Sequence, residues 1–322
     1  MVISFEFAGE RLDSYISSMY ADISRNRIQE AIECGFILVN RHHVKKSYIL
    51  KENDDLEILQ EISCEVMVTP QDIKIDILYE DDYYIIINKH ENIVVHPGHG
   101  HRDGTLLNAL YYYSGGQYSP ILVNRLDKNT SGAIIAAKSD RAHERLSKKF
   151  HDREIYKGYV GLCIGKFPNN ISGVIDLPIW RSKKDPTRQS VDYENGREAR
   201  TDYRIVEYVN GIYFACFRLH SGRTHQIRLH CSHNGFPILR DNLYGGEKDR
   251  LKFLEQNDRP TAQKIFNCFN RQALHSRFIS FQHPYTEETI SITAPFEKDF
   301  LDAFATAGIN EEKFNIFGGE IL

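Results

Sequence analysis

The run Val123-Asn124-Arg125-Leu126-Asp127-Lys128-Asn129-Thr130-Ser131-Gly132 sets a single acid between an arginine and a turn-forming Asn-Thr-Ser-Gly stretch. The short apolar segment Ala133–Ala137 follows at once. A carboxylate on a tight loop against a strand is held rigidly, and a neighbouring guanidinium favours a carboxylate's charged form. A carboxylate nucleophile or base needs both conditions. Taken alone, the stretch reads as an ordinary loop with a capping aspartate. Its company along the chain changes that reading.

Three other groups of residues invite chemistry. His96, His99 and His101, and separately His225, His230 and His233, suggest a metal. Neither group completes a His-Glu-x-x-His pattern, and His225 and His230 are five apart where one helix face wants four. No metal is expected. A phosphate loop of the Gly-x-x-x-x-Gly-Lys-Ser/Thr type is absent, and no Gly-x-Gly-x-x-Gly opens a helix after a strand, so no nucleotide cofactor is expected either. The third group is Ser221-Gly222-Arg223-Thr224-His225-Gln226-Ile227-Arg228-Leu229-His230. It runs from an apolar strand into a helix, and such a junction offers backbone N–H groups to phosphate. Arg223 stands at the junction. Arg228 stands one turn in, placed to fork onto a carboxylate. An amphipathic helix with solvated arginines would explain one of these arginines but not the whole run.

The elements that must hold these residues follow from periodicity. Strands are expected at Ile75–Tyr79, Tyr83–Asn88, Ala133–Ala137, Ile155–Ile164, Thr201–Tyr208, Ile212–Leu219, Phe278–Gln282 and Thr289–Thr293. Short turns join many of them, which favours antiparallel pairing. Helices are expected at Ser139–Phe150, with Ala142, Leu146 and Phe150 on one face, and at Thr224–His233, opened by Thr224. The fold class is α+β: a large mixed, mostly antiparallel sheet with a few flanking helices.

The first 60 residues form a separate module. Ile16 and Met19, with Ile28, Ala31 and Ile32, give two short helices, the second capped by Ser24 and ended near Gly35. A strand at Phe36–Asn40 and a turn follow, and Asp54–Ile58 ends the unit. The boundaries expected are 1–62 for this module, 63–74 for a linker, 75–300 for the main domain and 301–322 for a C-terminal tail.

With 322 residues, 41% hydrophobic and 26% charged, the chain has room for two or three domains and a sizeable core. No apolar run would span a bilayer and the N-terminus lacks a signal-peptide core, so a cytoplasmic location is expected, with no membrane partner. Six scattered cysteines without a Cys-x-x-Cys pair argue for free thiols. The net charge of −4 does not advertise nucleic acid, but its distribution is uneven. Lys138–Lys166 holds 8 basic and 4 acidic residues, and Arg181–Arg228 holds 10 and 6, whereas residues 1–60 hold 7 and 10. A basic face on the middle of the chain is therefore available if folding assembles it.

Arg11-Leu12-Asp13, Ile23–Ile28, Gly35, Leu38-Val39-Asn40 and Lys45-Lys46-Ser47-Tyr48 resemble the S4 RNA-binding domain. That resemblance implies that Arg25, Arg27, Lys45 and Lys46 track RNA phosphates. The rest resembles the RluA-type pseudouridine synthases, particularly S4-containing members that act on ribosomal RNA, over residues 75–300. The ordered matches are Asn88-Lys89 with Val94–Gly98, Arg125-Leu126-Asp127 with Thr130-Ser131-Gly132, and Lys157-Gly158-Tyr159-Val160. Ala199 and Thr201 precede Ser221–Arg228. Pro237-Ile238-Leu239, Asp241 and Leu243-Tyr244-Gly245 follow, then Ala273-Leu274-His275 and His283-Pro284. Four positions depart from the pattern: Asn124 for a His, His90 for a Pro, Arg240 for a Gly and Ser221 for a Thr.

The resemblance implies isomerisation of uridine in structured RNA by a monomer without metal or organic cofactor. Asp127 would be the essential aspartate and Arg228 its partner. Tyr159 would pack on the target base and is a candidate for handling the C5 proton. Arg125 would fill the gap left by a flipped nucleotide, while Lys157 and Ile227 would line the uracil pocket. Arg223 would contact the substrate. One carboxylate near C1′ and C2′ serves either attack at C1′ or removal of a C2′ proton. Three alternatives stay open: action on transfer RNA, a non-catalytic RNA-binding or ribosome-assembly protein on this fold, and a metal-dependent hydrolase. The presence of Asp127, Tyr159 and Arg228 together favours an enzyme over the binder.

Overall fold

The structure is a computed structural model that describes residues 7–20, 25–59, 68–97, 103–166 and 170–315. The chain divides into two compact units, Met1–Thr69 and Pro70–Leu322.

In the first unit, helices α1 (Leu12–Met19) and α2 (Arg25–Glu33) precede an antiparallel pair, β1 (Ile37–Val39) and β2 (Leu56–Ile58). Leu12, Ile16, Ile28, Ile32, Ile37, Val39 and Leu56 bury one core between them. Met19, expected on the inner face, is exposed. Gly35 ends α2 at φ +79°, a conformation glycine adopts without the Cβ penalty. The expected cap Ser24 lies outside the described residues, as do residues 63–67 of the expected linker.

The second unit is built on a ten-stranded sheet. Its strands are β3 (Asp76–Glu80), β4 (Tyr84–Lys89), β5 (Ile121–Leu122), β6 (Ser131–Ala137), β7 (Tyr156–Ile164), β8 (Ser172–Asp176), β11 (Arg200–Val209), β12 (Ile212–Leu219), β13 (Leu274–Gln282) and β14 (Thr289–Thr293). They run in the order β3-β4-β6-β13-β7-β12-β11-β8, with β14 on β13 and β5 on β6. A small side pair is made by β9 (Ile179–Arg181) and β10 (Gln189–Val191). Among the described strands only β6 and β13 pair in parallel, so the expected mixed, mostly antiparallel sheet is what forms.

The central strands read as unbroken apolar runs because both faces are covered. Alternation assigns the faces. Ile85, Ile87, Ile134, Tyr159, Tyr213 and Phe217 pack on one side with α3 (Leu106–Ser114) and α5 (Gln226–His233). Tyr84, Ile86, Ala133 and Ile135 face the other side beneath α4 (Asp140–His151). Val160, Leu162 and Phe214 do likewise beneath α6 (Arg259–Asn267) and α7 (Lys298–Ala307). Each buried Leu, Ile or Phe stabilises the fold by about 1.5–3 kcal/mol relative to exposure.

The boundary expected at residue 300 cuts through α7. Phe300, Ala303 and Phe304 recur at helical spacing and, with Phe314 beyond, are buried under the sheet. Ala303, Phe304 and Phe314 therefore tie residues 301–315 to the core of the second unit. No helix among the described residues is long and apolar enough to cross a membrane.

Candidate active site

Asp127 sits in the loop between β5 and β6. The loop is fixed at several points. Asn124 accepts the Ile135 N–H through Oδ1 at 2.8 Å. Thr130 N–H closes the turn on Asp127 O at 3.0 Å. Gly132 holds φ +107°, and a Cβ there would lie 2.2 Å from Ser276 O on the parallel partner strand. Only glycine lets β6 and β13 approach this closely.

Two buried cations clamp the same loop. Lys89 Nζ donates to Lys128 O at 2.9 Å, His90 O at 2.8 Å and Ile93 O at 3.1 Å, using all three ammonium donors. Burial, then the charge of Arg271, pulls Lys89 down to about 7. Arg271 donates to Asn129 O at 2.9 Å and Ser131 Oγ at 3.0 Å. It is itself held in a fork by Asp299 of α7, at 2.8 and 3.1 Å. The helix at the supposed tail thus supports the aspartate loop.

From the opposite side, α5 brings Arg228. Its Nη1 donates to Asp127 Oδ2 at 2.9 Å. Its Nε and Nη2 donate to Asp241 at 2.6 and 2.9 Å. The side chains are 20% (Asp127), 6% (Arg228) and 0% (Asp241) exposed, so one buried acid anchors the arginine and the other faces the opening. Burial pulls Arg228 down, but the bonds and charge of Asp241, and then of Asp127, outweigh it and the net shift is upward.

Two cavities meet at this pair. The larger, about 490 Å³, is walled by Asp127, His225, Arg228, Arg240, Asn242 and Gln272, among others. The smaller, about 60 Å³, is walled by Asp127, Tyr159, Arg223, Ile227, Arg228 and Leu274, with Arg125 on the rim of both. Six of the seven expected residues, Asp127, Tyr159, Arg228, Arg125, Arg223 and Ile227, therefore share one cavity. Tyr159 is buried and pushed up to about 12, chiefly by that burial, so it stays a neutral phenol. Arg125 is exposed and makes no hydrogen bond or ion pair among the described residues. Lys157 is not on the cavity wall. It is buried, its Nζ donates to Ser221 O at 3.3 Å, and burial and then Arg153 and Arg223 bring it down to about 8.

The strand-to-helix junction is organised by Gln226, which sequence reasoning left without a task. Its Oε1 accepts from Ser221 Oγ and Arg223 N–H, and its Nε2 donates to Arg200 O and Thr201 Oγ1. The N-cap of α5 is His225 rather than Thr224, in the left-handed region at φ +57°. Arg240 also holds a left-handed φ, +64°, so the turn keeps a glycine-like conformation without the glycine. Its guanidinium lies 3.9 Å over the Phe266 ring and donates to Phe266 O. His230 bonds Thr201 Oγ1 and Leu177 O, so it and His225 face different partners, while His99 and His101 lie outside the described residues.

In the first unit the expected RNA contacts divide. Arg25 is tied to buried Asp13 at 3.2 and 3.3 Å, and Asp13 also accepts from Arg11 and Gln29. Lys46 pairs with Glu33 at 3.0 Å. Lys45 is exposed, and the Arg27 side chain lies outside the described residues.

Comparison with known proteins follows the same division. Residues 83–233 match the RNA pseudouridylate synthase family model, and residues 10–56 match the S4 domain model. The chain is 38% identical over 305 residues to ribosomal large subunit pseudouridine synthase D of Escherichia coli K12, covering 91% of this chain and 89% of that protein. It is 36% identical over 308 residues to the protein of that name from Haemophilus ducreyi, covering 93% and 91%. Human RNA pseudouridylate synthase domain containing 4 shares the fold, with a TM-score of 0.58 at 21% identity over 73% of this chain and 94% of that one. With a buried arginine–carboxylate centre on this sheet and relatives matched along nine-tenths of its length, the chain belongs to the RNA pseudouridine synthase family and is an enzyme of that class.

Proposed function

We propose that this enzyme isomerises uridines of large-subunit ribosomal RNA, with Asp127 as the acting carboxylate. The observation that carries the assignment is the Asp127–Arg228–Asp241 chain. It presents one partly open carboxylate at the meeting point of two cavities while its cation is anchored from behind. A buried carboxylate left without a cation would take up a proton, so the arginine is a requirement of the chemistry.

In this reading the target base leaves its stack, at a cost of a few kcal/mol, and enters the small cavity against Tyr159 and Ile227. Arg125, free on the rim, takes the vacated place in the RNA. Asp127 then acts at C1′ or at the C2′ proton as the glycosidic bond breaks. The uracil turns and bonds through C5, and the displaced C5 proton leaves. Lys157 supports the loop that carries Gly222 and Arg223. The first unit adds affinity through Lys45 and its neighbours. The ribosomal target rests on the names of relatives that match both units. Pseudouridine mapping of total RNA from cells with and without the protein tests it. Loss of modification confined to large-subunit RNA is expected, and loss confined to transfer RNA would overturn the target.

A further inference from the structure

His225 is the feature of the site that the proposed chemistry leaves without a task. It holds a left-handed backbone, uncommon for residues other than glycine although asparagine, aspartate and histidine enter it more often than most, and it makes no side-chain capping bond in return. Strain kept at such a place is a reason to ask what the side chain does there. It forms part of the walls of both cavities.

The hydrogen bonds of Tyr244 bear on which nitrogen carries the proton. Tyr244 Oη accepts the Gln189 backbone N–H at 2.7 Å. Its own O–H then needs an acceptor, and among the described residues the group in place is His225 Nδ1 at 2.9 Å. With Tyr244 as the donor of this bond, Nδ1 is the bare nitrogen and the proton of the neutral ring sits on Nε2. Burial first, and then the charge of Arg228, favours that neutral ring against the pull of Asp127. Nε2 is the atom turned toward the site. It lies 3.9 Å from Asp127 Oδ2, too far for a hydrogen bond, which leaves its N–H to be taken by another acceptor.

We infer that the His225 Nε2–H donates to the 2′-oxygen of the target ribose, making His225 the residue that recognises the sugar as RNA. The inference rests on the assignment of Asp127. A carboxylate acting at C1′ or C2′ must have the ribose beside it, and O2′ is the acceptor attached to that edge of the sugar. The 2′-hydroxyl is also the group that separates RNA from DNA at a single position. Tyr244 is a positioning residue that acts through the tautomer it imposes.

The test crosses enzyme variants with substrates. Short RNAs carry the target uridine as ribose or as 2′-deoxyribose, and both kcat/KM and equilibrium affinity are measured. For the wild type, removing the 2′-hydroxyl is expected to cost about tenfold more than it costs His225→Asn, a residue that tolerates the left-handed backbone. Tyr244→Phe should lose part of that difference. His225→Gly should lose all of it while melting within a few degrees of the wild type, since glycine relieves the strained φ. Equal deoxyribose penalties in wild type and His225→Asn, in rate and in affinity, would overturn the inference. Wild-type turnover of the ribose RNA by Asp127→Asn would instead remove the assignment of Asp127 on which it stands.

Discussion

Replacing Asp241 by Asn separates anchoring from chemistry. The Asp241 carboxylate has no exposed surface and accepts four hydrogen bonds: two from Arg228, at 2.6 and 2.9 Å, and the backbone N–H groups of Leu243 and Tyr244, at 3.1 and 3.2 Å. An asparagine can keep its oxygen toward Nη2 and the two backbone donors. Its NH2 group then meets Arg228 Nε, donor against donor, and the negative charge is gone. Breaking a buried ion pair costs about 3–5 kcal/mol. Arg228 retains Asp127, so a value near the lower end, about 3 kcal/mol, is expected. For a unit of this size that corresponds to a fall in melting temperature of roughly 6–12 °C. At a temperature where the variant remains folded, Arg228 is free to turn onto Asp127 with its whole fork, and product formation should fall at least tenfold. Calorimetry and tritium release from C5-labelled uridine RNA read the two effects separately. A variant that melts within 1–2 °C of the wild type and turns over normally would refute the view that Asp241 sets the geometry of Arg228.

Three further outcomes are expected. His275 is fully buried between Ser131 Oγ and Ala294 O, and burial, then Arg271, brings it down to about 3. The unfolded chain takes up that proton first, near 6.5. Stability is therefore complete above pH 6.5 and is lost as pH falls toward 3, by at most about 5 kcal/mol. His275→Gln should flatten that acid slope in denaturant melts, and an unchanged slope would contradict it. Lys157, at about 8, should give kcat/KM an alkaline limb near pH 8 as its ammonium is lost. Lys157→Met should lack the limb, and the same limb in the variant would assign it elsewhere. Lys45→Glu should weaken binding of large-subunit RNA and lower the salt slope of affinity by about one, and an unaltered slope would take Lys45 off the RNA.

The strands around the site were legible because a short apolar run bounded by turn residues is a local pattern. Tyr84 to Ile87 and Ile212 to Phe217 show it directly. The Arg125–Gly132 loop was legible because turn chemistry is also local. What could not be read was long-range pairing. Arg271 reaches Asn129 and Ser131, and Arg228 reaches Asp127, across 142, 140 and 101 residues. No periodicity encodes such reach, so Asp241, Lys89 and Gln226 stood in recognised motifs without roles, and Arg271 stood outside them. The missed helix α3 did carry signals, with Thr105 and Asn108 forming a capping box and Gly115 ending the helix in a left-handed conformation. Its tyrosine-rich sequence concealed them. α7 was divided because its Phe300 and Phe304 were split by an assumed boundary.

The most direct measurement is pseudouridine formation by Asp127→Asn on large-subunit ribosomal RNA, made beside a melting curve. The substitution keeps the shape of the side chain and removes its charge. No product, with the melting temperature within a few degrees of the wild type, is the result expected if Asp127 is the group that acts on the ribose. Product at the wild-type rate would contradict it.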